Sequence, residues 1–162
     1  MFGIKFKVDG MDSLIRSFKR LGQVPQKHVT ASVKKAMRTP LQQAKADAPE
    51  DTGDLKKGIV LKGEKSKIKG KKIYRIVFDD SMNDVFQKVR MVTKKNGTQT
   101  ERVTGYYPVS QEYGWFTRSG SYIPGIRFAR GAMEDNAGLV SRTIISMMTT
   151  KIGQELRKAG LR

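Results

Sequence analysis

Residues 85–107 read VFQKVRMVTKKNGTQTERVTGYY, and this stretch decides the class of fold. Two runs rich in β-branched and aromatic residues, 85–93 and 100–107, flank KKNGTQ at 94–99. Asn96-Gly97 is the dipeptide a tight hairpin prefers, because both residues tolerate positive φ. The stretch therefore predicts a long antiparallel hairpin. Just before it, residues 73–78 (IYRIVF) have the composition of a strand, and residues 55–62 predict another. Between those two lies GEKSKIKGKK, residues 63–72, with five lysines and no large apolar residue but Ile68. That segment reads as a mobile loop or hairpin tip.

Helical spacing takes over on both sides of this β-rich middle. Phe2, Ile4, Phe6 and Val8 alternate in the manner of a strand, and Asp9-Gly10 turns the chain. Asp12 or Ser13 can cap a short helix carrying Leu14, Ile15, Phe18 and Leu21, with Gly22 placed to end it. Pro25 suits the first turn of the next helix. From there Val29, Val33, Ala36, Met37, Leu41, Ala44 and Ala48 form a three-and-four stripe. Pro40 interrupts it, since proline lacks an amide hydrogen and clashes with the preceding turn, which predicts a kink or two abutting helices. PEDTG at 49–53 is a turn. At the other end, residues 128–158 carry Ala132, Met133, Ala137, Val140, Ile144, Met147, Met148, Ile152 and Leu156, which predicts one long amphipathic helix. At about 1.5 Å per residue such a helix would extend ~45 Å, long enough for part of its apolar face to pack on another subunit.

The order of elements predicts an α+β fold: an antiparallel β-sheet with a long hairpin, packed against N-terminal helices and a long C-terminal helix. A chain of 162 residues predicts a single domain, 1–162. Within it, 1–59 holds the N-terminal strand and helices and 60–107 the hairpin region with the lysine-rich loop. An irregular aromatic loop follows at 108–127, then the C-terminal helix at 128–162. With 38% hydrophobic residues the chain can bury a core, a domain near this length removing roughly 70% of its unfolded surface from water.

Charge is the most lopsided property. Lys and Arg number 32 against 15 Asp and Glu, a formal net charge of +17. Such an excess fixes the sign of a partner and says little about fold. The partner is expected to be anionic: nucleic acid, an acidic protein surface or an anionic membrane. There are no cysteines, so disulfides, thiolate zinc sites and a cysteine nucleophile are ruled out. The N-terminus lacks the apolar run of a signal peptide. No stretch approaches the ~20 apolar residues that span a bilayer. The expectation is a protein made and kept in a cytoplasm, or released by lysis.

Equipment for catalysis is sparse. His28 is the single histidine, so a His-rich metal site or a conventional triad cannot be built. No phosphate-cradling GxxxxGK[ST] loop, GxGxxG turn or GxSxG elbow is present. Carboxylates cluster at Asp47, Glu50, Asp51 and Asp54 and again at Asp79, Asp80 and Asp84. Such groups can bind oxygen-liking metals or act as acid and base, but short polar side chains beside a turn glycine or a strand end ordinarily satisfy backbone amides. The expectation is no enzyme, no cofactor and no metal. Lys62, Lys65, Lys67, Lys69, Lys71 and Lys72 are offset by one acid, Glu64, which makes them possible contacts for phosphates or an acidic partner. Aromatics are not interleaved with them, against base stacking. Tyr106, Tyr107, Tyr113, Trp115, Phe116 and Tyr122 crowd one stretch that holds the only Trp, a composition suited to an interface.

Three ordered blocks resemble a phage family. AKADAPEDTGDL at 44–55, continued to Ile59, resembles the K-x-x-A-P-x-x-T-G-x-L-x-x-S-I signature of the tail-completion, or head–tail joining, proteins of tailed double-stranded DNA bacteriophages. Lys45, Ala48, Pro49, Thr52, Gly53, Leu55 and Ile59 match, and Gly58 stands where Ser is usual. YPVSQEYG at 107–114 is similar to Y-A-x-x-V-E-F-G through Tyr107, Glu112 and Gly114. FARGAMEDN at 128–136 is similar to F-[ML]-R-P-A-[LM]-E-x-N, with Phe128 and Arg130 matching and Gly131 in place of Pro. VDGMDSL at 8–14 resembles the family's strand–turn–helix start. Residues 60–105 match nothing in it.

The resemblance implies a structural virion protein of the neck or tail, without catalytic activity, that completes the tail end and joins it to the head. It implies a ring, commonly sixfold, with neighbouring neck, head-completion and tail-terminator or tail-tube proteins as partners, possible contact with passing DNA, and no membrane. The implied location is the virion, with assembly in the host cytoplasm. Pro49, Thr52, Gly53, Leu55, Tyr107, Glu112, Gly114, Trp115, Phe128 and Arg130 become motif or interface residues. A second expectation, from another class, is a free nucleic-acid-binding protein using the basic loop at 63–72.

Overall fold

The structure, a computed structural model, describes residues 26–68 and 70–158, with the side chains of Leu156 and Lys158 outside the description. The strand expected at 2–8, the helix carrying Leu14 to Leu21, Pro25 and Lys69 lie outside the described residues.

Both helical stripes are broken once, and the breaks are matched. The first becomes α1 (Gln26–Ala36) and α2 (Arg38–Asp47), parted at Met37 with Pro40 inside the first turn of α2. There the missing amide hydrogen costs nothing, because first-turn amides have no intrahelical acceptor. The long helix expected over 128–158 is in fact two, α6 (Phe128–Asp135) and α7 (Ala137–Lys158). Asn136 parts them, buried and turned back so that its amide nitrogen donates to the Ala132 carbonyl at 2.8 Å and to Gln43 Oε1 at 2.6 Å. Gln43 in turn donates to Asp135 at 3.1 Å. The two bends let α1 pack on α7 and α2 on α6, with Ala44 and Ala132 at zero exposure where the latter pair approaches. Val29, Val33, Ala36 and Met37 from the first stripe and Met133, Val140, Ile144 and Met148 from the second fill the core.

Strands occupy the middle of the chain, as expected, in an α+β arrangement. β1 (Ile59–Gly63) pairs antiparallel with β2 (Tyr74–Phe78), β3 (Gln87–Thr93) with β4 (Gln99–Tyr106), and β5 (Gly114–Phe116) with β6 (Tyr122–Pro124). Among the described residues these are three separate two-stranded ribbons, not one sheet. Helical turns interrupt the chain between them and prevent lateral pairing: a 3-10 turn at Asp80–Met82 leading into α4 (Asn83–Phe86), and α5 (Tyr107–Tyr113).

Two local expectations are corrected. Residues 55–58 are helical, in α3 (Asp54–Gly58), and only Ile59 onward is strand. Thr52 Oγ1 holds both the Asp54 backbone amide at 3.4 Å and the Asp54 carboxylate at 2.7 Å, a local bonding pattern that starts a helical turn. The stretch 108–127 is not irregular: Pro108 opens α5, and β5–β6 follows as a small hairpin. At the β3–β4 tip, the Gly97 amide donates to the Lys94 carbonyl and the Lys94 amide to Thr98. Only Gly97 takes positive φ there, which is a turn followed by a glycine bulge rather than the two-residue form.

Candidate functional site

The second and third motif blocks are joined by one side chain. Glu112 lies on α5 at 2% exposure, and its two carboxylate oxygens accept the backbone amides of Ala129 and Arg130, each at 2.9 Å. Those amides begin α6, where the first N–H groups lack intrahelical acceptors and the helix dipole is positive. A carboxylate from a remote helix thus does the work of a cap. The backbone adds to it: the Arg127 amide donates to the Glu112 carbonyl at 3.0 Å and the Ile126 amide to the Gln111 carbonyl at 2.8 Å. Arg127, the helix-preceding residue, is the one non-glycine among the described residues at positive φ, +58°. Gly114 follows Glu112 closely in φ +88°, and a Cβ there would run into the Ile123 carbonyl, so only glycine lets α5 turn straight into β5.

The first block faces the start of the second. Pro49, Thr52, Gly53, Leu55 and Tyr107 line a shallow cleft of about 160 Å³ together with Asp51, Asp54, Val85 and Phe86. Its floor is Phe86, 1% exposed. A Cβ on Gly58 would collide with the Phe86 ring, which accounts physically for glycine at this position. Phe86 meets Phe78 and Tyr106 edge-on with ring centroids 6.4 and 6.0 Å apart, and Phe78 meets Phe128 at 6.1 Å. The third block enters this aromatic hub through Phe128, while the first block and Tyr107 of the second border it at Phe86 across the cleft. Sequence reasoning missed Phe86 and Tyr106 as its centre; the one available signal was Gly58. Burial, chiefly, and then the charges of Asp80 and Asp79 push the Tyr106 hydroxyl up from its ordinary pKa.

Around the hub, the side chains named from the sequence divide sharply. Phe128 and Leu55 are buried, whereas Arg130 is exposed and bonded to Glu134 at 2.7 Å, a contact that pushes its guanidinium pKa up. Trp115 stands exposed on β5 opposite Ile123, Phe116 and Tyr122 pair on the other face of that hairpin with Phe116 at 73% exposure, and Ile126 is exposed just beyond β6. The carboxylates of the first cluster serve local roles: Lys56 bonds Glu50 at 2.6 Å and lowers its pKa, and Asp54 is lowered by Thr52 and Lys57. Asp79 accepts the Ser81 amide at 3.0 Å, which caps the 3-10 turn and lowers its pKa. His28 meets Glu155 at 3.2 Å across α1 and α7. Among the described residues no group of three His, Cys, Asp or Glu side chains is arranged to hold a metal ion, and no helix is long and apolar enough to cross a membrane.

Of the two expectations for the basic loop, a mobile loop or a hairpin tip, it is the tip of the β1–β2 hairpin, and it is tethered. Gln26 clamps it from α1, donating to the Lys71 carbonyl at 3.1 Å and accepting the Gly70 amide at 2.7 Å. Lys62 pairs with Asp80 at 3.0 Å. Lys72 donates to the Glu64 carbonyl at 2.6 Å and lies over the Tyr74 ring, while Glu64 pairs with Arg75. Lys65, Lys67 and Lys71 remain exposed.

No protein-family model, curated protein or solved structure matches this chain.

Proposed function

We propose that the chain is a structural subunit of the neck or tail end of a tailed double-stranded DNA bacteriophage, completing the tail and joining it to the head within an oligomeric ring. It acts in the virion after assembly in the host cytoplasm and performs no catalysis. The observation that carries this reading is the aromatic patch of β5–β6. Five large apolar side chains, Trp115, Phe116, Tyr122, Ile123 and Ile126, are held in solvent on a segment fixed at its base by the buried Glu112 carboxylate. Trp115 pairs with Ile123 on one face of the hairpin and Phe116 with Tyr122 on the other. Exposed apolar side chains crowded on one short hairpin mark protein contact, and a rigid base spares the ordering cost of binding. Support also comes from the three resembling blocks, which are distant in sequence yet adjacent in space: the first and second border one cleft, and Glu112 bonds the second to the third.

Mass photometry of the chain, alone and with its neck and tail-tube neighbours, tests the reading. A ring is the expected product, and Phe116→Ser combined with Ile123→Ser abolishes it while leaving the melting temperature within a few degrees of the parent. A chain that stays monomeric at high concentration with those partners present overturns it.

A further inference from the structure

The β3–β4 ribbon concentrates cations that no carboxylate among the described residues neutralises. Arg90 and Arg102 sit directly opposite each other in the register, so their side chains leave the same face. Lys88, opposite Gly105, is two residues along β3 from Arg90 on that face; Val92 and Thr100 pair toward the tip, and a bulge at Lys88/Val89 leaves Thr104 as an extra residue on β4. Glu101, the ribbon's one acid, is opposite Met91 on the other face. Lys94 and Lys95 extend the positive charge over the tip. All five basic side chains are exposed, and none has a carboxylate partner among the described residues. Like charges directly across a strand pair destabilise it, and a lone two-stranded ribbon is marginal to begin with. Arginine cannot discharge to relieve the repulsion.

We infer that the Lys88, Arg90 and Arg102 face of this ribbon is a contact surface for the phosphate backbone of duplex DNA. A two-stranded ribbon has the width that the B-form major groove admits, while the narrow major groove of A-form RNA excludes it. The guanidinium fork matches phosphate oxygens two at a time. An acidic protein partner fits less well, because interface cores need apolar anchors, and the ribbon's Val89, Met91 and Val103 lie on the opposite face. The contacts are to phosphates, so they position the chain on a duplex without reading sequence. This differs from the lysine run at 62–72, where Lys62 and Lys72 are already engaged within the fold. The inference does not depend on the assembly reading and is tested on the full chain alone.

Fluorescence anisotropy with a random-sequence DNA duplex of about 30 base pairs, between about 50 and 200 mM salt, is the experiment. Arg90→Gln combined with Arg102→Gln is expected to weaken binding about tenfold or more at the low-salt end. It should also reduce the slope of log affinity against log salt by about 2, one for each lost phosphate contact. Lys65→Gln combined with Lys67→Gln should do less than half of this. A melting temperature at or above the parent's shows that the arginine variant lost contacts and not its fold; if it melts lower, Lys94→Gln with Lys95→Gln is read in its place by the same slope criterion. No binding by the parent at the lowest salt overturns the inference, as does an unchanged slope in the ribbon variant. Displacement of the duplex by polyglutamate at equal charge also overturns it, since the ligand would then be an acidic protein.

Discussion

β1–β2 and β3–β4 are both two-stranded antiparallel ribbons of β-branched and aromatic residues, yet one lies in the core and the other stands in solvent. Ile59 and Ile76 are 0% and 5% exposed, whereas Val89, Met91 and Val103 are 44%, 61% and 52% exposed. The difference teaches that strand alternation decides which side chains share a face and leaves open whether anything covers it. β1–β2 is covered because α2 packs on β1 and Phe128 of α6 meets Phe78. Among the described residues β3–β4 is held at its base, by Phe86 before β3 and Tyr106 at the end of β4. Beyond that base its charged and large apolar side chains are exposed.

The sharpest way to break this contrast is to remove its hinge. Phe86→Ala is expected to cost about 3–5 kcal/mol in urea unfolding, the range for a buried aromatic; a loss under about 1 kcal/mol would mean that the two ribbons hold their positions independently. Glu112→Ala comes next, at roughly 2–4 kcal/mol, because it strands two buried amides at the start of α6 and removes a charge-assisted cap. The ribbons themselves differ more gently. Ile76→Val should cost about 0.5–1.5 kcal/mol, and Val89→Ala less than about 0.5. Hydrogen exchange should likewise protect the β1–β2 amides to near the global unfolding energy and those of β3–β4 far less; equal protection would show the second ribbon to be packed in solution.

Acid gives the smallest effect and acts on the packed half. Glu50, Asp54 and Asp79 have folded pKa values below their ordinary ones. A carboxyl lowered in this way stabilises the fold above its unfolded pKa, and that contribution is lost as pH falls through the folded value. The melting temperature should therefore begin to drop below about pH 4 and show no matching loss between pH 7 and 9 from these groups. Asp79→Asn should lessen the fall between pH 5 and 3, since its amide cannot gain a proton there; an undiminished fall assigns the acid sensitivity elsewhere.

Much of this was legible in residues 29–48 and 73–107, where a long run of consistent spacing leaves few alternatives. The stripe from Val29 to Ala48 is buried at Val29, Val33, Ala36, Met37, Ala44 and Ala48 and breaks beside Pro40. The strands at 74–78, 87–93 and 99–106 lie within the expected runs to a residue or two, but Val85 and Phe86 end a helical turn and Tyr107 opens a helix. Less was legible where a side chain overrides the pattern. The stripe over 128–158 runs on in phase through Asn136, and only the Gln43 amide, 93 residues away, shows why the helix stops there. Residues 55–58 carry too little periodicity to separate one helical turn from a strand. Of the candidate site, Glu112, Gly114 and Phe128 were marked by the resembling blocks, and their joint role was not.

The sequence by itself determined the sign of the protein's charge, the α+β order of its elements and the helical stripes that line its core, because composition and period are local properties. Only the tertiary structure decided which ribbon is covered, which lysines are spent on internal contacts, and that Glu112 caps a helix begun 16 residues later. Those outcomes depend on which surfaces meet, and a carboxylate or an arginine carries no mark of its partner until the chain has brought one within bonding distance or left it without.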